Sequence, residues 1–213
     1  MKNNFIKLSE EFFFNGYLIG RINNEEIIKK FNLISEKFFD NKIENNNYYF
    51  ENKNENQFDL KPNTWTYDNI FFDLLIETGL IKILDTITNQ NLILTDVRTR
   101  IIKKDKKFKP WGYIAPHRIK NGSLSDRLMS FIDSYKSIYK SKNKFCFFPG
   151  TLRHWPLKEK SKNGSLRIIY VFRDSRYYEE YKDNELTNSF IKKKEANLLN
   201  NTDITFDEED LKY

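Results

Sequence analysis

Two short apolar runs constrain this chain more than any other feature: "KFCFFPG" at residues 144–150 and "SLRIIYVFRD" at residues 165–174. Aromatic and β-branched residues dominate both, so both predict strands. A strand of this kind has to bury one face, and it therefore needs a partner layer. Earlier in the chain, "NNEEIIKKFNLISEKFFD" carries Ile27, Ile28, Phe31, Ile34 and Phe38 at helical spacing, which predicts an amphipathic helix over about residues 24–39. "YDNIFFDLLIETGLIKILDTITN" predicts one or two helices, broken near Gly79, over about residues 68–88. Ser9 is a candidate N-cap for a short helical turn that stops at Gly16 before a strand at "YLIGRI".

The rest of the chain is less regular. Residues 40–63 are polar and Asn-rich and predict a long loop, with room for a short strand at "YYF". "LILTDVRTRIIKK" predicts a strand whose polar positions Asp96, Arg98 and Arg100 alternate, placing them on one face turned toward a polar interior. "YIAPHRI" is a second short strand candidate, and residues 123–141 have partly helical spacing. The tail beyond about residue 176 is charged, with helical character and a frayed acidic end at "FDEED".

Composition limits the function classes. With 213 residues, 39% hydrophobic and 16% aromatic, the chain can bury a sizeable core despite 31% charge, so it is globular and not disordered. A net charge of +6 suits an anionic small molecule or simple solubility, and nucleic acid is not implied. The single cysteine, Cys146, excludes an internal disulfide and a Cys-rich metal site, which makes a reducing cytoplasm the expected setting. No apolar window is long enough to cross a bilayer, so no membrane association is expected. Gly-rich phosphate loops and the GxSxG, HExxH and CxxC motifs are all absent.

What remains is the pair His117 and His154, thirty-seven residues apart and both beside predicted strands, together with the arginines. Two imidazoles and an oxygen ligand on β-scaffolding are the donor set of non-haem Fe(II) oxygenases. An arginine on the following strand, Arg167, can bind a carboxylate bidentately. Structural roles fit the same residues: His154 as a satisfied core residue, His117 and Arg118 as a basic patch, and Arg167 as an ion-pair partner of the acidic tail.

The order of these features resembles the phytanoyl-CoA dioxygenase-like branch of the 2-oxoglutarate/Fe(II)-dependent oxygenases. "EEFFFNGYLIGRINNEEIIKKFNLISEKFF" is similar to the opening of that branch, and "FFPGTLRHWP…SLRIIYVF" to its distal-His strand and co-substrate arginine. "VRTRIIKKDKKFKPWGYIAPHRI" stands where that branch has its proximal His. The resemblance implies an α+β chain with a mainly β core, a double-stranded β-helix (jelly-roll, cupin-like) barrel, with the N-terminal helices packed outside it. Residues 1–90 would supply the first strand and helices, 91–175 the barrel core and 176–213 a charged tail of one domain. It implies His117 and His154 as iron ligands and Arg167 as the partner of a 2-oxoglutarate carboxylate. Ser165 would stand beside that arginine, and Arg98, Arg100 and Tyr113 would make further co-substrate or substrate contacts. The implied activity is hydroxylation of a small, anionic metabolite, with 2-oxoglutarate converted to succinate and carbon dioxide.

One departure bears on all of this. The family places a carboxylate two residues after the first His, and here that residue is Ile119. Asp96, Asp126 or Asp133 would have to supply the oxygen, or the two histidines hold iron without it, or the site is silent. The short His117–His154 spacing also implies a reduced barrel. The alternative function is therefore a catalytically inactive barrel that binds a carboxylate or sugar ligand through Arg167 and its neighbours.

Overall fold

The computed structural model describes residues 2–39, 46–50, 57–102, 144–149, 165–197 and 202–206. Five α-helices lie among them: α1 (Lys2–Asn15), α2 (Glu25–Phe39), α3 (Ile70–Ile76), α4 (Leu80–Thr88) and α5 (Glu185–Ala196). The strands are β1 (Leu18–Ile22), β2 (Gln57–Asp59), β3 (Leu92–Ile102), β4 (Lys144–Phe147), β5 (Ser165–Asp174) and β6 (Ile204–Phe206). These elements fall into two compact units, neither of them a continuous stretch of chain.

The first unit holds α1 and an antiparallel sheet in the order β4-β1-β6. Leu18 and Ile19 of β1 are buried, and Phe12 of α1 stacks on Phe147 of β4 at 5.1 Å between ring centroids. The helix runs well beyond the short turn expected from Ser9, which falls mid-helix. Leu8 and Phe12, one turn apart, are its buried residues, and their spacing carries the helix through Ser9. It ends at Gly16, whose φ of 76° is readily available to glycine.

The second unit is a layer of helices on an antiparallel sheet in the order β2-β3-β5. β3 pairs with β5 along nearly its whole length, from Leu92↔Asp174 to Ile102↔Ser165, with a bulge between Leu94 and Asp96. Because side chains alternate across a strand, Val97, Thr99 and Ile101 of β3 share one face with Tyr170, Ile168 and Leu166 of β5. That face is covered by helices. The Tyr170 hydroxyl donates to the Phe71 carbonyl of α3 at 2.8 Å, and Thr187 Oγ1 of α5 donates to the Leu94 carbonyl at 2.9 Å. Lys194 of α5 pairs with Asp85 of α4 at 2.7 Å, and Asp85 in turn accepts the Leu92 backbone N–H at 2.8 Å. α3 and α4 are separated at Gly79, which has a φ of 73°, as the sequence predicts.

These observations overturn the expected mainly β jelly roll. Among the described residues the strands form two open three-stranded antiparallel sheets and no barrel, and more residues are helical than extended. In the second unit the reason is physical: the apolar face of β3 and β5 is buried by α3, α4 and α5, so it needs no second sheet. The two diagnostic runs also go to different sheets, β4 beside β1 and β5 beside β3. The region expected to be loop, 40–63, contains β2 and a bridge between Tyr49 and Leu60. No helix among the described residues is long and apolar enough to cross a membrane.

Candidate functional site

The opposite face of the β2-β3-β5 sheet carries the charge. Asp96, Arg98 and Arg100 of β3 lie there, as do Arg167, Ile169 and Val171 of β5, because each pair in register shares a face. Arg100 and Arg167 are Cα partners across the two strands, and Arg98 faces Ile169 one row further along. Asp59 of β2 is the Cα partner of Arg100 on its other side. The row Asp59–Arg100–Arg167 therefore crosses the whole sheet.

Placing two guanidiniums directly opposite one another costs stability unless negative charge accompanies them. Asp59 supplies one such charge bidentately: Arg100 Nε donates to Oδ1 at 2.6 Å and Nη2 to Oδ2 at 3.1 Å. The paired carboxylate pushes the Arg100 guanidinium further up from its ordinary value, against a smaller opposing effect of burial. Arg98 Nε donates to Asp96 Oδ2, two residues back on the same strand, at 2.7 Å. Arg98 is 70% exposed at its side chain, so its part of the face is open to solvent and does not line the polar interior expected from the alternation. Arg167 is half-buried, with its Nε shielded from solvent.

The sequence-predicted site residues thus divide. Arg98, Arg100 and Arg167 come together on one face, and Ser165 opens β5 two residues before Arg167, opposite Ile102. Asp96, a candidate oxygen donor for iron, is engaged by Arg98. His117, His154, Tyr113, Ile119, Asp126 and Asp133 lie outside the described residues. Among the described residues no group of three or more His, Cys, Asp or Glu side chains is placed to hold a metal ion. Asp59 is the participant that sequence reading missed. Its signal was the alternation of Gln57 and Asp59 with Phe58 and Leu60, a strand of three residues hidden in an Asn-rich stretch.

An arginine row with a carboxylate at one end can recognise a planar anion through paired N–H donors. Comparison with protein-family models, with curated proteins and with solved structures finds no match for this chain.

Proposed function

We propose that this chain binds a small carboxylate ligand on the arginine face of β2-β3-β5, with Arg167 as the principal contact. The observation that carries this reading is the register of Arg167 beside Arg100 on the face away from the helices. Arg100 is paired with Asp59, and beside it the planar guanidinium of Arg167 has the fork of N–H donors that matches a carboxylate. Arg98, 70% exposed one row away, adds attraction over the approach to the face.

A second reading adds redox chemistry: a 2-oxoglutarate/Fe(II)-dependent dioxygenase that hydroxylates a small anionic metabolite. It is favoured by the chain order His117, His154, Arg167, which resembles the phytanoyl-CoA dioxygenase-like branch. In that reading His117 and His154 hold the iron, which with the co-substrate supplies dioxygen activation, and Arg167 orients 2-oxoglutarate by one carboxylate. It rests on chain order alone, without the barrel.

Calorimetric titration with 2-oxoglutarate tests both. Arg167→Leu is expected to weaken binding at least about 30-fold, equivalent to about 2 kcal/mol for a lost charge-assisted pair, with the melting temperature preserved. Unchanged affinity together with a lower melting temperature assigns Arg167 to structure and ends the proposal. Anaerobic addition of Fe(II) then separates the readings, because iron chelation by 2-oxoglutarate gives a visible charge-transfer band. Carboxylate binding without that band leaves the redox-silent reading.

A further inference from the structure

We infer that Thr95 and Asn184 are positioning residues for the arginine face: by pinning the bulge in β3 they decide that Arg98 and Arg100 lie on the side away from the helices. The inference deepens the carboxylate-binding reading, on which its consequence for a ligand rests, and adds what aims the site.

Even-numbered residues of β3 do opposite things on the two sides of the bulge. Leu92 and Leu94 are buried on the helix-covered face, opposite Asp174 and Phe172. Asp96, Arg98 and Arg100 have the same parity, yet they pair with Val171, Ile169 and Arg167 on the open face. An unbroken strand cannot do this, because alternation would carry the parity of Leu94 forward and turn both arginines under the helices. Thr95 is the extra residue that resets it. The register steps from Leu94↔Phe172 to Asp96↔Val171, so two neighbours on β5 face three residues of β3.

Two side chains hold the extra residue. Thr95 Oγ1 donates to the Val171 carbonyl across the ladder at 3.1 Å. The Thr95 carbonyl accepts from Asn184 Nδ2 at 3.3 Å, while Asn184 Oδ1 accepts the Thr187 backbone N–H at 3.2 Å as the N-cap of α5. Only one orientation of the amide serves both partners, so the helix start and the bulge fix each other. Thr187 Oγ1 donates to the carbonyl of Leu94, the residue just before the bulge, at 2.9 Å. Bulges beside binding sites re-aim side chains, and those re-aimed here are Arg98, 70% exposed, and Arg100, held by Asp59.

Asn184→Asp separates the two roles of the amide: a carboxylate keeps the N-cap acceptor and has no N–H for the Thr95 carbonyl. Thr95→Val removes the hydroxyl and keeps the β-branch, whereas Thr95→Ser keeps the hydroxyl. Each full-length variant is titrated calorimetrically with 2-oxoglutarate, beside a melting curve and the cross-strand NOEs that report the β3–β5 register. Asn184→Asp and Thr95→Val are expected to weaken 2-oxoglutarate binding about 10-fold, the size of one lost hydrogen bond. The Asp96–Val171 and Arg98–Ile169 NOEs should weaken with it, and Thr95→Ser should keep both at wild-type values. Wild-type NOEs in Asn184→Asp and Thr95→Val overturn the inference, whatever the affinity does. Altered NOEs with unchanged affinity overturn it as well, because the bulge then aims nothing that the ligand uses. If Asn184→Asp does not fold, the two Thr95 variants decide by the same NOEs. If the wild-type protein does not bind 2-oxoglutarate, the carboxylate reading falls, and the NOEs alone decide whether these two side chains set the arginine face.

Discussion

Thr99 lies on the helix-covered face of β3, only 1% exposed, and its Oγ1 is buried with no hydrogen-bond partner among the described residues. A buried hydroxyl left in that state costs the free energy of its lost hydration. Thr99→Val keeps the shape and the β-branch while removing the polar atom, so it should stabilise the protein by about 1 kcal/mol. A denaturant titration showing no gain, or a loss, would count against this account of the site. At this scale the arginines were legible in advance. Period-two alternation puts Arg98 and Arg100 on one face wherever a strand forms. Their carboxylate partners were not equally legible: Asp96 is local, but Asp59 is 41 residues away from Arg100 in the chain. Only the pairing of β2 with β3 brings it there.

The elements divide along the same line. Helix α2 spans Glu25–Phe39, matching the predicted 24–39, because its apolar spacing is a local property; Ile34 and Phe38 are buried as that spacing requires. The break near Gly79 was equally readable, since a glycine between two strongly apolar helical stretches readily takes the left-handed φ found there. What packs against what was not readable. Tyr170 falls on the covered face of β5, and its hydroxyl ties that strand to α3 through the Phe71 carbonyl. Tyr170→Phe should cost about 1 kcal/mol, the usual net worth of such a bond. Hydrogen exchange of the α3 and β5 amides checks it, because faster exchange should appear in both elements together. Exchange confined to β5 would show that the tie is not shared.

For the molecule as a whole, buried tyrosines set an alkaline limit. Tyr49 is 3% exposed, its hydroxyl donates to the Phe38 carbonyl at 2.9 Å, and burial pushes its phenol up to about 12. Burial raises Tyr170 as well. In the unfolded chain these phenols titrate near 10, so between about pH 10 and pH 12 the unfolded state loses protons that the folded state keeps. Their contribution is therefore intact below about pH 10 and is lost as pH rises through the folded value. Stability should fall by about 1.4 kcal/mol per pH unit for each such tyrosine over that window. Tyr49→Phe should remove one proton's share of the slope. A slope identical to wild type would mean that Tyr49 ionises equally in both states.

The sequence by itself determined the local elements of this protein: the amphipathic α2, the break between α3 and α4, the strands β3, β4 and β5, and the shared parity of Asp96, Arg98 and Arg100. Each follows from a period of a few residues, written in neighbouring side chains. Tertiary structure decided which layer buries each strand. "KFCFFPG" and "SLRIIYVFRD" announce strands that need covering, but a sheet of a jelly roll and a layer of helices satisfy the same hydrophobic requirement, and here helices cover β3 and β5. Register was decided there too. Asp59, Arg100 and Arg167 come from three separated stretches of chain and become neighbours only through interstrand hydrogen bonds, because register is a property of two strands together and no single stretch of side chains specifies it alone.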